Sequence, residues 1–153
     1  MERDIVSEEE RAARLRVVLW RANKAVDQVE TVRLKARGLC MSDFAILEVL
    51  LHKGPLPVNT IGQKVLLTSG SITVAVRRLE DRGLLTKEVD ALDRRIARVS
   101  LTEAGRELIE RDYKEHVKCL REITGALNPE EQRHLYELLK KLGHHAAGLL
   151  DQG

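Results

Sequence analysis

Thr68-Ser69-Gly70-Ser71-Ile72-Thr73-Val74-Ala75-Val76-Arg77-Arg78-Leu79, continued by Glu80-Asp81-Arg82-Gly83, reads as a helix with both ends written into it. A hydroxyl on Thr68 or Ser69 can cap the first free backbone N–H groups, and Gly83 supplies the left-handed residue that closes many helices. At about 100° per residue, Ile72, Ala75, Val76 and Leu79 share one side and face a core. Gly70, Thr73, Val74, Arg77 and Asp81 face away, with Ser71 and Arg78 flanking them. Solvated helix faces are ordinarily filled with Glu, Lys and Gln, which lose little rotamer entropy there. This face carries small hydroxyls, an exposed valine and arginines. Such a mixture fits a DNA major groove, where short side chains let the backbone approach, hydroxyls bond base edges or phosphates, and Val74 or the Thr73 methyl touches a thymine methyl. An ordinary amphipathic helix accounts for the same residues, so the helix alone leaves both readings open.

The next segment separates them. Leu84 to Val89 and Ile96 to Leu101 are short runs rich in apolar and β-branched residues, divided by the polar tip Asp90-Ala91-Leu92-Asp93-Arg94-Arg95. They predict an antiparallel hairpin. The tip lacks the Asn-Gly or Asp-Gly of a tight turn, which predicts a longer, protruding loop. Arginines on such a tip can enter a minor groove, where negative potential is concentrated. Arg95 is assigned that role, with Asp93 steering it, and Arg78 and Arg94 are assigned to phosphates.

These residues resemble a known family. Arg78-Leu79-Glu80-Asp81-Arg82-Gly83-Leu84, then Asp93-Arg94-Arg95, then Val99-Ser100-Leu101-Thr102-Glu103-Ala104-Gly105 look like the signature of MarR-type winged-helix transcription regulators, and the resemblance covers nearly the whole chain. Gly38-Leu39 and the stretch from Phe44 to Ser71, with His52-Lys53-Gly54-Pro55, are most similar to the MhqR-like branch, which responds to quinones and electrophiles. The resemblance implies a dimer built from the terminal helices. It also implies an effector pocket between those helices and the winged-helix lobe, drawing here on Trp20, Phe44, His52 and Tyr113. Core packing explains each of those aromatic rings as well.

Composition sets the outer limits. With 153 residues, 33% of them charged and only 3% aromatic, the chain is sized for one mostly helical domain. A net charge of +2 does not by itself indicate nucleic acid, so the distribution of charge must carry that argument. No run is apolar enough to span a membrane and no secretory signal is present, so a cytoplasmic location is expected.

Along the chain, Leu15, Leu19, Ala22, Val26 and Val29 recur at spacings of four and three between Ser7 and about Ala36, the pattern of a long helix with a narrow apolar stripe. Gly38 closes it. Ser42 is expected to cap a second helix whose inward residues are Phe44, Ile46, Leu47, Leu50 and Leu51, broken at Gly54-Pro55-Leu56-Pro57. Residues 58–67 form the first helix of a helix-turn-helix, on which Gln63 and Lys64 are either phosphate contacts or a solvated face. After the hairpin, Thr102 caps a helix running to about Ala126. Asn128-Pro129-Glu130-Glu131 then starts the last helix, with Leu135, Leu138, Leu139, Leu142, Ala146 and Leu149 along it. The expected fold is therefore mainly α with a small β-wing, residues 1–153 forming one domain. Residues 42–102 make the winged helix-turn-helix lobe; 1–36 and 103–153 are dimerisation helices, because their apolar stripes exceed what one small lobe can cover.

Reactive side chains add candidates without deciding among them. Cys40 lies before the second helix near Arg37, and a helix N-terminus and a cation both activate a thiol; a small buried hydrophobe fits the position too. Cys119 reads as a packing residue. Peroxide-sensing members of the family carry a cysteine early in the first helix, and this chain has none around Leu15 to Leu19. His52, His116, His134, His144 and His145 show no metal-ligand spacing, no catalytic motif is present, and no cofactor is implied. The expectation is a homodimeric regulator binding a pseudo-palindromic operator in double-stranded DNA, with two recognition helices roughly 34 Å apart. It is read as a repressor released by a small phenolic, aromatic or electrophilic effector or by thiol modification. The other classes are a nonspecific architectural DNA binder and a winged helix used for protein contact. Ser69, Gly70, Ser71, Thr73, Val74 and Arg77 complete the DNA-binding set.

Overall fold

A computed structural model describes residues 7–89 and 97–150 and divides the chain into two compact units, residues 1–115 and 116–153. In the first unit, Ser7 accepts the Glu10 N–H at 3.1 Å and opens α1, Glu8–Lys35. The helix ends in two reverse bonds, Gly38 N–H to the Lys35 carbonyl and Leu39 N–H to the Leu34 carbonyl, which bury Leu34 and Leu39 against each other's turn.

Helix α2 is Met41–Lys53, and its start differs from the expected one. Cys40, extended at φ −97° and ψ 164°, occupies the N-cap position, and no side chain caps it. Ser42 sits within the first turn and bonds Cys40 Sγ at 3.1 Å instead. The sequence pattern pointed to Ser42 because hydroxyls favour caps; the chain's extended entry at residue 40 moves the helix start ahead of it.

Helix α3, Val58–Lys64, is shorter than the expected 58–67 because Leu66 turns into the left-handed region at φ 55°. Leu67 N–H then reaches back to the Gly62 carbonyl, and Thr68 leads into α4, Ser69–Asp81. Strands β1 (Leu56–Pro57), β2 (Leu85–Val89) and β3 (Ala97–Leu101) form an antiparallel sheet in the order β1-β3-β2. The hairpin register runs from Leu85 opposite Leu101 to Val89 opposite Ala97. Strand β1 lies within Gly54 to Pro57, a stretch whose sequence predicts only a break. Its two residues pair with Val99 and Arg98 of β3, and Pro57, having no N–H to give a ladder, belongs on such an edge strand.

The core of this unit gathers Phe44, Ile46, Leu47 and Leu50 of α2, Ile72, Ala75, Val76 and Leu79 of α4, with Ile61, Val99 and Ile109, all buried. Each large aliphatic side chain so buried contributes roughly 1.5–3 kcal/mol. Helix α4 is thus anchored along the side the sequence assigned to the core. Ile109 comes from α5, Glu103–Thr124, which runs across the boundary between the units.

In the second unit α6, Pro129–Leu150, starts as its sequence demands. Asn128 Oδ1 accepts the N–H groups of Glu130 and Glu131 at 3.0 Å, while Glu131 Oε2 accepts the Asn128 N–H at 2.8 Å, a reciprocal capping box. Gln132 Nε2 donates to the Thr124 and Leu127 carbonyls and fixes the turn between the helices. None of the α6 side chains is buried. Among the described residues, no helix is long and apolar enough to cross a membrane.

Candidate nucleic-acid interface

The outer face of α4 is assembled from short polar side chains whose hydroxyls are already partly committed. Thr68 Oγ1 accepts the Ser71 N–H at 3.3 Å and donates to Ser71 Oγ at 2.9 Å, leaving the Ser71 proton available to an external acceptor. Thr73 Oγ1 donates to the Ser69 carbonyl at 2.9 Å, which leaves the oxygen of this exposed side chain only an acceptor. Ser69, Gly70, Ser71, Thr73, Val74 and Arg77 are all exposed, Val74 to 64%, and nothing lies within contact of a side chain that Gly70 would carry. One helix face therefore presents a donor, an acceptor, two apolar groups and a guanidinium together. An open groove of about 730 Å³ lies alongside, its lining including Asn59 of α3, Thr73, Arg77, Glu80 and Asp81 of α4, and Lys87 of β2.

The far end of α4 is locked to the hairpin and to α5. Gly83, at φ 69°, closes the helix with bonds from Gly83 N–H to the Glu80 carbonyl and from Leu84 N–H to the Leu79 carbonyl. Thr102 then binds this turn twice, through its N–H to the Leu84 carbonyl at 3.1 Å and its hydroxyl to the Gly83 carbonyl at 2.7 Å. The same hydroxyl accepts the Gly105 N–H at 3.0 Å and so caps α5 as the sequence predicted. Gly105 packs so tightly here that a Cβ on it would lie 2.0 Å from the Leu84 carbonyl oxygen. The runs Arg78 to Leu84 and Val99 to Gly105 are thus two halves of one knot.

Arg78 is held by protein. Its Nε donates to Asp43 Oδ1 and Oδ2 at 3.2 and 3.3 Å, and its Nη2 donates to Asp43 Oδ1, Cys40 Sγ and Ser42 Oγ. Arg82 Nη1 adds a 3.4 Å contact to Asp43 Oδ2. The bond to Asp43 pushes the Arg78 pKa above its already high value, against the opposing effect of burial, so the guanidinium stays charged. Asp43, only 2% exposed, is the residue that sequence reasoning missed. Its sole local signal was an acid in the first turn of a helix, which the helix dipole favours.

Asp93, Arg94 and Arg95 lie outside the described residues; the strands before and after them in sequence, β2 and β3, are paired up to Val89 and Ala97.

Of the aromatic set, His52 and Tyr113 meet edge to face, with centroids 4.9 Å apart and planes at 73°. Phe44 is in the core at 1% exposure, and Trp20 is exposed on α1 with Lys24 Nζ 5.1 Å above its ring. Two half-buried acids that the sequence did not flag neighbour each other here, and the first of them neighbours His52. Glu48 has its pKa raised by burial, opposed by the charge of His52. Glu30 of α1 is raised by burial, then by the charges of Asp27 and Glu48. Cys40 is half-buried, and the cation at its sulfur is Arg78 at 3.4 Å. Arg37, the expected neighbour, turns instead to the Arg33 and Asp112 carbonyls, whose oxygens are stronger acceptors than a thiol sulfur. Cys119 is buried, and no group of three or more His, Cys, Asp or Glu side chains among the described residues could hold a metal.

Comparison with known proteins places this geometry. Residues 33–96 match the MarR family. The HTH-type transcriptional regulator MhqR of Bacillus subtilis is 36% identical over 137 residues, 90% of this chain and 94% of that protein. Among solved structures, BpsR of Bordetella bronchiseptica, whose DNA binding is regulated by 6-hydroxynicotinic acid, is 25% identical with a TM-score of 0.77 over 85% of this chain and 98% of its own. A mutant MarR from E. coli complexed with operator DNA shares the fold at 20% identity, with a TM-score of 0.79 over 89% and 98% of the two chains.

Proposed function

This chain belongs to the MarR family of winged-helix, DNA-binding transcription regulators, and from that premise we propose that it is a homodimeric repressor of a pseudo-palindromic operator, released by a small aromatic or electrophilic effector. The observation that carries the reading is the exposed face of α4. Ser71, Thr73, Val74 and Arg77 stand outward together on a helix whose opposite side is fully buried. In the proposal Ser69 and Gly70 admit the phosphate backbone, and Ser71, Thr73, Val74 and Arg77 read base edges. Arg94 holds a phosphate, and Arg95, steered by Asp93, enters the minor groove.

Residues 42–102 act as the DNA-binding lobe and residues 1–36 and 103–153 as dimerisation helices. Apolar side chains left in water support the second assignment. On α1, Leu15, Val18, Trp20 and Val32 are more than half exposed; on α6, Leu138, Leu149 and Leu150 are. A second copy covers those faces and sets two α4 helices about one DNA turn apart. The site of action is the cytoplasm, where the DNA lies.

Release is a population shift: the effector must bind better to a dimer whose α4 helices no longer match successive grooves. The His52–Tyr113 pair, with Glu48 beside it, is the polar-edged aromatic surface proposed to meet a phenol, and modification of Cys40 is the thiol route to the same state. The regulation of BpsR by 6-hydroxynicotinic acid supports an aromatic effector.

The test is binding of the purified protein to the DNA upstream of its own gene, titrated against excess unrelated duplex. Affinity that survives the competitor is expected, and Arg77→Ala should lose about 1–3 kcal/mol of it and relax the sequence preference. Equal loss to any duplex would indicate architectural binding, and no binding at low salt would indicate a protein-contact module.

A further inference from the structure

The cluster at the α2–α4 crossing has a function that its chemistry defines. Asp43 comes from the first turn of α2 with its side chain 3% exposed, and both of its oxygens are occupied by arginines of the recognition helix and its cap. Arg78 and Arg82 are four residues apart and so lie one turn apart on the same side of the helix. Their side chains are 44% and 37% exposed, which puts the carboxylate at the edge of the core with the cations outside it. Ser42 Oγ and Cys40 Sγ complete the ring around Arg78 Nη2, each at 3.4 Å.

Two kinds of contact hold α4. The ridge Ile72, Ala75, Val76 and Leu79 is apolar, and burial of that kind is nondirectional. The arginine fork on Asp43 is directional, since charged bidentate bonds fix angle as well as distance. Arg77, next to Arg78, stands about 100° further round the helix. Side-chain tips about 5–6 Å from a helix axis move about 1 Å for each 10° of rotation, whereas productive hydrogen bonding tolerates about 0.5 Å.

We propose that Asp43 is a positioning residue for DNA recognition: by holding Arg78 and Arg82 it fixes the rotation of α4, so that Ser71, Thr73, Val74 and Arg77 meet base edges in one register. Arg78 then acts inside the protein and not on a phosphate. The proposal rests on α4 being the helix that reads the operator.

Three variants of the full-length protein test it: Asp43→Asn, Arg78→Gln and the double variant. Each is measured on its own upstream DNA and on unrelated duplex across a salt series. Phosphate contacts supply nonspecific affinity and its salt dependence, while register supplies the ratio of specific to nonspecific binding. Asp43→Asn should lower that ratio about tenfold or more and leave nonspecific affinity unchanged or tighter, because Arg78 is released towards solvent. Arg78→Gln should lower the ratio similarly with no change in salt slope. The double variant should match either single one, since both break the same linkage.

A ratio unchanged within about twofold in folded Asp43→Asn, or additive losses in the double variant, overturns the proposal. So does a fall of about one in the salt slope of Arg78→Gln, which is the signature of a phosphate contact. Should Asp43→Asn fail to fold by circular dichroism, Arg78→Gln decides alone through its ratio and slope. A wild-type protein that does not discriminate between the duplexes removes the premise, and the positioning role with it.

Discussion

The winged-helix lobe and the last helix treat the same kind of residue in opposite ways. In the lobe every aliphatic residue of the α4 ridge is buried, and the helix end is closed by Gly83, Thr102 and Gly105 acting on one another. Helix α6 is richer in leucine, yet Leu135, Leu138, Leu139, Leu142, Leu149 and Leu150 are all 43% exposed or more. Exposed apolar area of that extent on regularly spaced positions is the surface that the proposed second copy would cover. The lobe is finished within one chain, and α6 is well capped but uncovered. Order along the backbone and burial of side chains are thus set separately, the first by local caps and the second by what is available to pack.

The severest test of the finished lobe is Gly105→Ala. A Cβ there would sit 2.0 Å from the Leu84 carbonyl oxygen and 2.9 Å from its carbon, backbone atoms that cannot swing away. Overpacking of this kind costs about 3 kcal/mol or more, and thermal melts should fall by roughly 6–12 °C. A melt within 2 °C of wild type would mean that α5 can slide at this turn, and that the knot is looser than its hydrogen bonds imply.

On the unfinished side, Leu138→Glu replaces a 65% exposed leucine with a residue equally at home in a helix, so the fold of one chain should be unaffected. Truncating a hot-spot residue of an interface costs about 2 kcal/mol or more, and a two-fold interface carries the change in both copies, so sedimentation should show dimerisation weakened by about 30-fold or more. An unchanged association constant would show that this part of α6 is covered by something other than a second copy.

The same division explains how much of the molecule could be read from sequence. The recognition helix was legible because its cap, its stop and its apolar stripe lie within sixteen consecutive residues, Thr68 to Gly83. The capping box at Asn128 to Glu131 was legible for the same reason. Features that depend on distant partners were not. The Asp43–Arg78 bonds join residues 35 apart, and the His52–Tyr113 contact joins α2 to α5. Strand β1 exists only because β3 offers an edge, and Cys40 displaced Ser42 at the cap because the chain entering α2 is extended. The hydroxyl-rich face of α4 fits a DNA surface and an ordinary amphipathic helix alike, so the hairpin beside it has to separate the two, and the structure adds which protons are already used.

One residue within the finished lobe resists its order. Leu66, between α3 and α4, adopts φ 55° and is 92% exposed, so its side chain gains nothing from packing in the isolated chain. A left-handed conformation costs an L-residue about 1–2 kcal/mol, and glycine returns part of that through chain entropy. Leu66→Gly should therefore stabilise the protein by about 0.5–1 kcal/mol in denaturant titration. Destabilisation would indicate that the side chain is covered in the assembled protein, which would extend the uncovered surface into the lobe.

The smallest effect concerns charge within the lobe. Burial raises the pKa of Glu48, partly offset by His52, so the folded chain binds its proton more readily than the unfolded chain does. Where the folded state holds more protons, stability falls as pH rises. The loss begins near the ordinary carboxyl value of 4.5 and is complete once pH exceeds the raised value. At neutral pH the charged form therefore burdens the fold, and Glu48→Gln should raise the melting temperature by about 1–2 °C after allowance for partial exposure. Below about pH 4 both proteins carry a neutral side chain there, and the difference should vanish. A gain that persists in acid would have to come from packing, and a loss at neutral pH would mean that the attraction between Glu48 and His52 outweighs desolvation. In that case the pair, four residues apart on α2, would steady that helix itself, and the lobe would draw on charge within α2 as well as on its apolar ridge.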